Sequence, residues 1–282
     1  MQHTFRISGF ADEASPSLEG QIRVLRQERM EWIDLRVVDG RNVVDLTDEA
    51  LAEAARRLEA AGIRVSCIAS PVGKIPFDAP IGPEVERLRR AIAAAQRLGT
   101  PYVRIFSFFL PQAEADALAG PVLERVEAFV RAAEGTGVRL LHENEKGIFG
   151  DTAARCLQLH RTFGDALGAI FDPANFLQCG ERPWEAFEAL APYVEYMHIK
   201  DARLGQMEVV PAGMGDGRLA DILRQLAARD GLVLSLEPHL AASPWMEQIM
   251  ARERIPRAAA GSVQPEELFS LAHRALEKLL SA

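Results

Sequence analysis

Cysteine is scarce in this chain of 282 residues: there are three, at positions 67, 156 and 179. They are too few and too scattered for a disulfide framework or a zinc ribbon. Cys67 and Cys156 sit in apolar patterns and are expected as buried packing thiols, the usual state of a free cysteine. Long hydrophobic runs are absent as well. No stretch reaches the ~18 uninterrupted apolar residues of a membrane span. The start, Met1-Gln2-His3-Thr4-Phe5, lacks a basic segment followed by an apolar one, so no signal peptide is expected and a cytoplasmic protein is the default. Excess basic charge is missing too: the net charge is −8, which disfavours a nucleic-acid partner because phosphate binding needs a basic surface. Linkers, low-complexity tracts and shifts in composition are also lacking, so one domain over residues 1–282 is expected.

What is present is a regular alternation. Strand-like segments at 5–10, 32–38, 64–70, 102–109, 139–145, 169–172, 194–201 and 232–237 alternate with helix-like segments. The latter fall at 17–28, 47–61, 83–98, 114–134, 152–163, 184–190, 219–229 and 265–280. The strands are apolar on both faces, as in Val65-Ser66-Cys67-Ile68 and Val103-Arg104-Ile105-Phe106, which suits parallel strands covered by helices. Eight such pairs in one unbroken run, with 48% hydrophobic residues to fill a core, predict an α/β fold consisting of a single (β/α)₈ TIM barrel. Helix starts are marked by Thr47 or Asp48 and by Asp151 or Thr152, and Gly62 stands where a left-handed cap belongs. The one irregular stretch, about 241–264, reads as a lid or an oligomer contact.

In such a barrel the residues that end each strand build the active site. Four polar runs occupy that position: His142-Glu143-Asn144-Glu145, Asp172-Pro173-Ala174-Asn175, His198-Ile199-Lys200-Asp201 and Glu237-Pro238-His239. Their key residues are 29, 26 and 39 positions apart, each about one strand–helix unit. Glu143, Asp172, His198 and Glu237 thus form a three-oxygen, one-nitrogen set suited to one divalent cation. Without a counter-charge three buried carboxylates would be very costly. Glu145 shares the strand with Glu143 and is expected to support it or to bind substrate. Arg36, Lys74, Arg104, Lys200 and His239 also end strands and are candidates for substrate binding or for steadying the carboxylates. Trp32, Trp184 and Phe106 are expected in the core. The run Gly213–Gly217 is permissive backbone that could approach a ligand, though no P-loop lysine follows it closely.

These four runs resemble the xylose-isomerase-like, sugar phosphate isomerase/epimerase superfamily of TIM barrels. So do Gly9-Phe10-Ala11-Asp12-Glu13, Ser70-Pro71-Val72-Gly73-Lys74-Ile75, Arg104-Ile105-Phe106-Ser107-Phe108 and Pro211-Ala212-Gly213-Met214-Gly215-Asp216-Gly217. The chain is similar in particular to the branch of ketose 3-epimerases and keto-glycoside epimerases. The resemblance implies one Mn²⁺, Mg²⁺, Co²⁺ or Zn²⁺ ion on Glu143, Asp172, His198 and Glu237, with Glu143 and Glu237 as the acid/base pair. It implies a small carbohydrate as substrate and is compatible with a homo-oligomer, while charge and the lack of long apolar runs argue for no nucleic-acid or membrane partner. Asn175 stands where many relatives have a substrate-binding histidine. The implied chemistry is proton transfer α to a carbonyl, giving an epimerase or isomerase. A keto-inositol dehydratase is the alternative, ahead of a non-catalytic sugar-binding barrel. An apurinic endonuclease needs three metal ions, and Ser70, Ser107 and Asn175 stand where its extra histidines would be.

Overall fold

The structure, a computed structural model, describes residues 5–240 and 264–281. The expected lid segment at 241–264 therefore lies outside the described residues, save for Gln264. Eight strands make one sheet: β1 (Arg6–Gly9), β2 (Trp32–Leu35), β3 (Arg64–Ile68), β4 (Tyr102–Ile105), β5 (Arg139–Glu143), β6 (Leu167–Phe171), β7 (Val194–Ile199) and β8 (Val233–Leu236). Around them lie helices α1 (Leu18–Gln27), α2 (Asp48–Ala61), α3 (Ile81–Leu98), α4 (Ala119–Ala133), α5 (Ala153–Phe163), α6 (Pro173–Gln178), α7 (Pro183–Leu190), α8 (Leu219–Leu226) and α9 (Pro265–Leu280). Every ladder in the sheet is parallel, in the order β1-β8-β7-β6-β5-β4-β3-β2. Neighbours in sequence are thus neighbours in space, and β1 returns to β8. The barrel is nearly closed: β1 and β2 stand side by side but share no ladder among the described residues.

Local chemistry explains where the elements begin and end. Ser17, Thr47 and Thr152 cap α1, α2 and α5, each side chain accepting the amide three residues on, which contributes ~1 kcal/mol per cap. At both ambiguous starts the threonine, rather than its aspartate neighbour, takes the cap. Gly62 ends α2 at φ +72°, a left-handed position that an L side chain would strain. The buried faces of the helices then close a continuous apolar layer over the outside of the strands, from Leu18 and Val24 through Leu88 and Val126 to Leu276. No helix among the described residues is long and apolar enough to cross a membrane.

The structure departs from the expected elements and core in four places. The helix read over 114–134 begins at Ala119, after a 3₁₀ turn over Gln112–Glu114. The short helix α6 was not foreseen, although Asp-Pro is a strong start signal: Pro173 takes the first helical position and Asp172 caps it. Trp32 is only half-buried, with the guanidiniums of Arg64 and Arg6 over its ring at 4.1 and 5.2 Å. Trp184 is also half-buried, packed at the edge of the core, whereas Phe106 is buried as expected. Cys67 and Cys156 are buried.

Candidate metal centre

Glu143 is the last residue of β5, Asp172 follows β6, His198 is the penultimate residue of β7 and Glu237 follows β8. All four are buried, and one ligand atom from each lies within 4.8 Å of all the others. His198 Nδ1 stands 3.1 Å from Glu143 Oε1, 3.5 Å from Glu237 Oε2 and 3.7 Å from Asp172 Oδ2. Donors bound at ~2.1 Å to one ion would be about 3.0 Å apart at right angles and about 3.4 Å apart in a tetrahedron. The three distances from His198 are thus close to those between donors on a single divalent ion.

Each of these side chains is held from behind. Asp172 divides its carboxylate: Oδ1 accepts the Asn175 amide at 2.9 Å to cap α6, which leaves Oδ2 for the site. Asn144, which sequence reasoning passed over, joins the ends of β5 and β6. Its side chain donates to Asp172 O and accepts from Asp172 N, both at 2.9 Å, imitating a strand ladder beyond the last paired residues. Asn175 donates to Asn144 O at 3.0 Å and to Glu143 Oε1 at 3.3 Å. Its own Oδ1 is buried with no partner among the described residues, and is free to accept from a substrate hydroxyl.

The electrostatics favour a cation. Burial alone would push Glu143 up, but His198 and Arg104 outweigh it and hold the carboxyl at about 2. Burial likewise works against Glu237, yet Lys200, His239 and His198 keep it well below the usual carboxylate range. Burial should push His198 down, whereas Glu143 and hydrogen bonds to Asp172 and Glu237 push it far up. The same field that holds a proton on His198 would attract a divalent ion, which must displace that proton to bind.

Lys200 reaches inside the cluster, with Nζ 2.8 Å from both Asp172 Oδ2 and Glu237 Oε2. Arg104 is buried beneath Glu143: it donates to Glu143 Oε2 at 2.9 Å, to Ala69 O at 3.2 Å and to Ser70 O at 3.3 Å. Three of its five N–H donors are thereby taken by protein acceptors, one of them a Glu143 oxygen. Arg36 is gripped by both oxygens of Asp12 at 2.7 and 3.1 Å and reaches Glu237 Oε1 at 3.5 Å. Lys74 lies farther out, pairing with Glu145 at 2.8 Å and lying 4.2 Å from the centroid of the Phe106 ring. The exposed His239 ring meets Glu13 at 3.1 Å, and its backbone amide donates to the same carboxylate at 2.7 Å. Glu13, half-buried in the 3₁₀ turn Ala11–Glu13 that follows β1, is another residue to which the sequence reading gave no role.

The glycine run 213–217 has a different use from the one expected. Its amides at Gly213, Gly215 and Gly217 donate to the carboxylate of Asp201 at 2.9, 3.0 and 2.9 Å, so the loop wraps a side chain of its own protein. A Cβ on Gly215 would lie 2.2 Å from Ala202 O, which no side chain could tolerate. Burial pushes Asp201 up to about 6 despite these donors.

Comparison with known proteins agrees with this fold. No curated protein matches the chain at a significant level. The fold is shared with IolI, solved with a bound zinc atom, at TM-score 0.74 and 15% identity, over 98% of each chain. A xylose isomerase-like TIM barrel protein from Mycobacterium smegmatis, solved with magnesium, aligns at TM-score 0.68 and 17% identity over 99% of this chain and 97% of its own. L-ribulose 3-epimerase aligns at TM-score 0.67 and 19% identity over 99% and 95%. At such identities the likeness is one of fold. The sequence profile of one family, however, matches residues 26–257, most of the chain. By that match, and by a barrel whose strands β5 to β8 end in a common cluster, the chain belongs to the xylose isomerase-like TIM barrel family.

Proposed function

We propose that this protein is a divalent-metal-dependent carbohydrate epimerase or isomerase that moves a proton α to a carbonyl. The observation that carries this reading is the buried cluster of Glu143, Asp172, His198 and Glu237 at four successive strand ends. An ion held by these four would polarise the substrate carbonyl and stabilise the charge of an enediolate.

The chain's own residues supply the rest. Glu143 and Glu237 come from strands three places apart round the barrel and reach the centre from different sides. Both are held as carboxylates at neutral pH, so either can take the α-proton and the other can carry its replacement. Return to the opposite face gives an epimer; delivery to the adjacent carbon interchanges ketose and aldose. Lys200, an ammonium inside the cluster, can donate to a developing oxyanion. Asn175 Oδ1 offers an acceptor for a hydroxyl. Lys74, Glu145 and His239 stand farther out, where the remainder of a sugar would lie. The same Lys200 supports a second reading, a keto-inositol dehydratase, since an ammonium at that place could protonate an expelled β-hydroxyl.

Incubating protein loaded with Mn²⁺, Mg²⁺, Co²⁺ or Zn²⁺ in D₂O with ketoses, keto-glycosides and inosose tests both readings by mass. A gain of one deuterium without loss of mass marks the epimerase or isomerase, and loss of water marks the dehydratase. Deuterium uptake that persists in full after chelation would reject the role of the ion.

A further inference from the structure

A second polar cluster lies inside the barrel, one layer below the candidate metal centre. Asp34, on β2, is buried, and its Oδ2 accepts hydroxyls from Ser8 on β1 at 2.9 Å, Tyr196 on β7 at 2.6 Å and Ser235 on β8 at 2.5 Å. Ser66 on β3 stands 3.2 Å from the same oxygen while donating to Ile33 O at 2.9 Å. Asp34 Oδ1 has no partner among the described residues. One carboxylate thus ties together five strands, including β1 and β2 across the seam where the backbone ladder is missing.

Two of these hydroxyls have a particular address. Tyr196 lies two residues before His198 on β7, and Ser235 two before Glu237 on β8. Each therefore shares the inward face of its strand with a candidate ligand. Ser235 is also the register partner of His198. The Tyr196 ring lies otherwise in an apolar cluster with Cys67, Leu141, Ile170 and Val233. It meets the His198 ring edge-on at 6.1 Å, while Phe10 meets that ring edge-on at 5.2 Å. His198 Nε2 has no hydrogen-bond partner among the described residues, so the orientation of the imidazole depends on these two aromatic contacts and on the carboxylates facing Nδ1.

We propose that Asp34 is a positioning residue for the metal centre: through the Tyr196 and Ser235 hydroxyls it holds His198 and Glu237 in ligating orientation. This rests on the reading that Glu143, Asp172, His198 and Glu237 bind a divalent ion. Groups behind metal ligands typically change affinity by ~10–100-fold when removed, because a ligand freed to rotate must be reordered on binding.

The test uses the full chain and Co²⁺, whose visible absorption reports ligand geometry. Tyr196→Phe and Ser235→Ala each delete one hydroxyl. Both are expected to weaken Co²⁺ binding by ~10-fold and to alter the spectrum of the bound ion. Ser8→Ala deletes a hydroxyl from the same carboxylate oxygen, on a strand that bears none of the four ligands. It should lower the melting temperature while Co²⁺ affinity and spectrum stay as in wild type. Equal effects of all three substitutions on affinity, or none from any, would reduce Asp34 to a seam staple and overturn the proposal. Failure of the wild-type protein to bind Co²⁺ would sink the metal reading and this inference together, whereas wild-type binding with unresponsive variants would sink the inference alone.

Discussion

The two halves of the barrel mouth are built on opposite principles. Strands β5 to β8 end in Glu143, Asp172, His198 and Glu237, acceptors drawn together around a centre. Strands β2 to β4 and their loops contribute cations interleaved with aromatic rings. Arg36 lies 4.7 Å from the Phe10 centroid, Arg104 lies 5.2 Å from Phe10 and 4.9 Å from Phe106, and Lys74 lies 4.2 Å from Phe106. One half gathers side chains that could hold a cation, with the Lys200 ammonium already among them, and the arginines of the other are tied to acidic side chains. The contrast shows why a strand-end cation in this barrel is not automatically a substrate contact: Arg104 and Arg36 are tied to Glu143, Asp12 and Glu237.

The largest effect is expected on the acidic half. Glu143→Gln and Glu237→Gln should each slow deuterium exchange at the substrate α-carbon by ~10²–10⁴-fold, with the far-ultraviolet circular dichroism of wild type. Unchanged exchange in either would remove that glutamate from the acid/base pair. Next comes the contact between the halves. Arg104→Met leaves a buried Glu143 without its guanidinium and should cost about 3–5 kcal/mol in urea unfolding. A loss below 1 kcal/mol would mean that Glu143 does not depend on the basic half.

The third prediction concerns pH. Glu143 is lowered in the folded chain, from an unfolded value of ~4.5 to about 2, so its contribution to stability is present above ~4.5 and disappears as pH falls toward 2. His198 moves the other way. Raised well above its unfolded value of ~6.5, it stabilises the metal-free chain below that pH and ceases to do so as pH rises through the folded value. Because ligation requires the neutral imidazole, ion affinity should climb over the same alkaline range. Melting curves in chelator and Co²⁺ titrations, both run against pH, are expected to show these opposed slopes; parallel slopes would contradict the assignment of His198. The smallest effect belongs to Lys74, whose pair with Glu145 is partly exposed. Lys74→Met should change stability by less than ~1 kcal/mol. If Lys74 contacts substrate, KM rises with kcat little changed; if it only supports Glu145, neither moves.

Much of the acidic half was legible because short polar runs at the ends of apolar strands stand out against their surroundings, and barrel order brings successive strand ends together. The basic half was harder to read. Arg36 reaches a carboxylate 201 positions away and Arg104 one 39 positions away, so no local pattern distinguishes a supporting arginine from one awaiting a substrate. Glu13 belongs to a run that carries the family resemblance, but its contact with His239 spans 226 positions and left no local signal. Asn144 and the cap on α6 were more accessible, since Asp172-Pro173 already marks a helix start.

From its order of residues alone this chain determines eight strand–helix units, a barrel with polar residues at the ends of β5 to β8, a helix start at Thr47 or Asp48 and the left-handed cap at Gly62. These follow from periodicity and from hydrogen bonds made within a few residues. The tertiary structure alone decided which charges pair, which oxygen of Asp172 faces the centre, and that Asp34 gathers hydroxyls from strands at both ends of the chain. Partner choice among buried polar groups depends on distances that exist only after the barrel closes, when each unpaired donor or acceptor becomes costly.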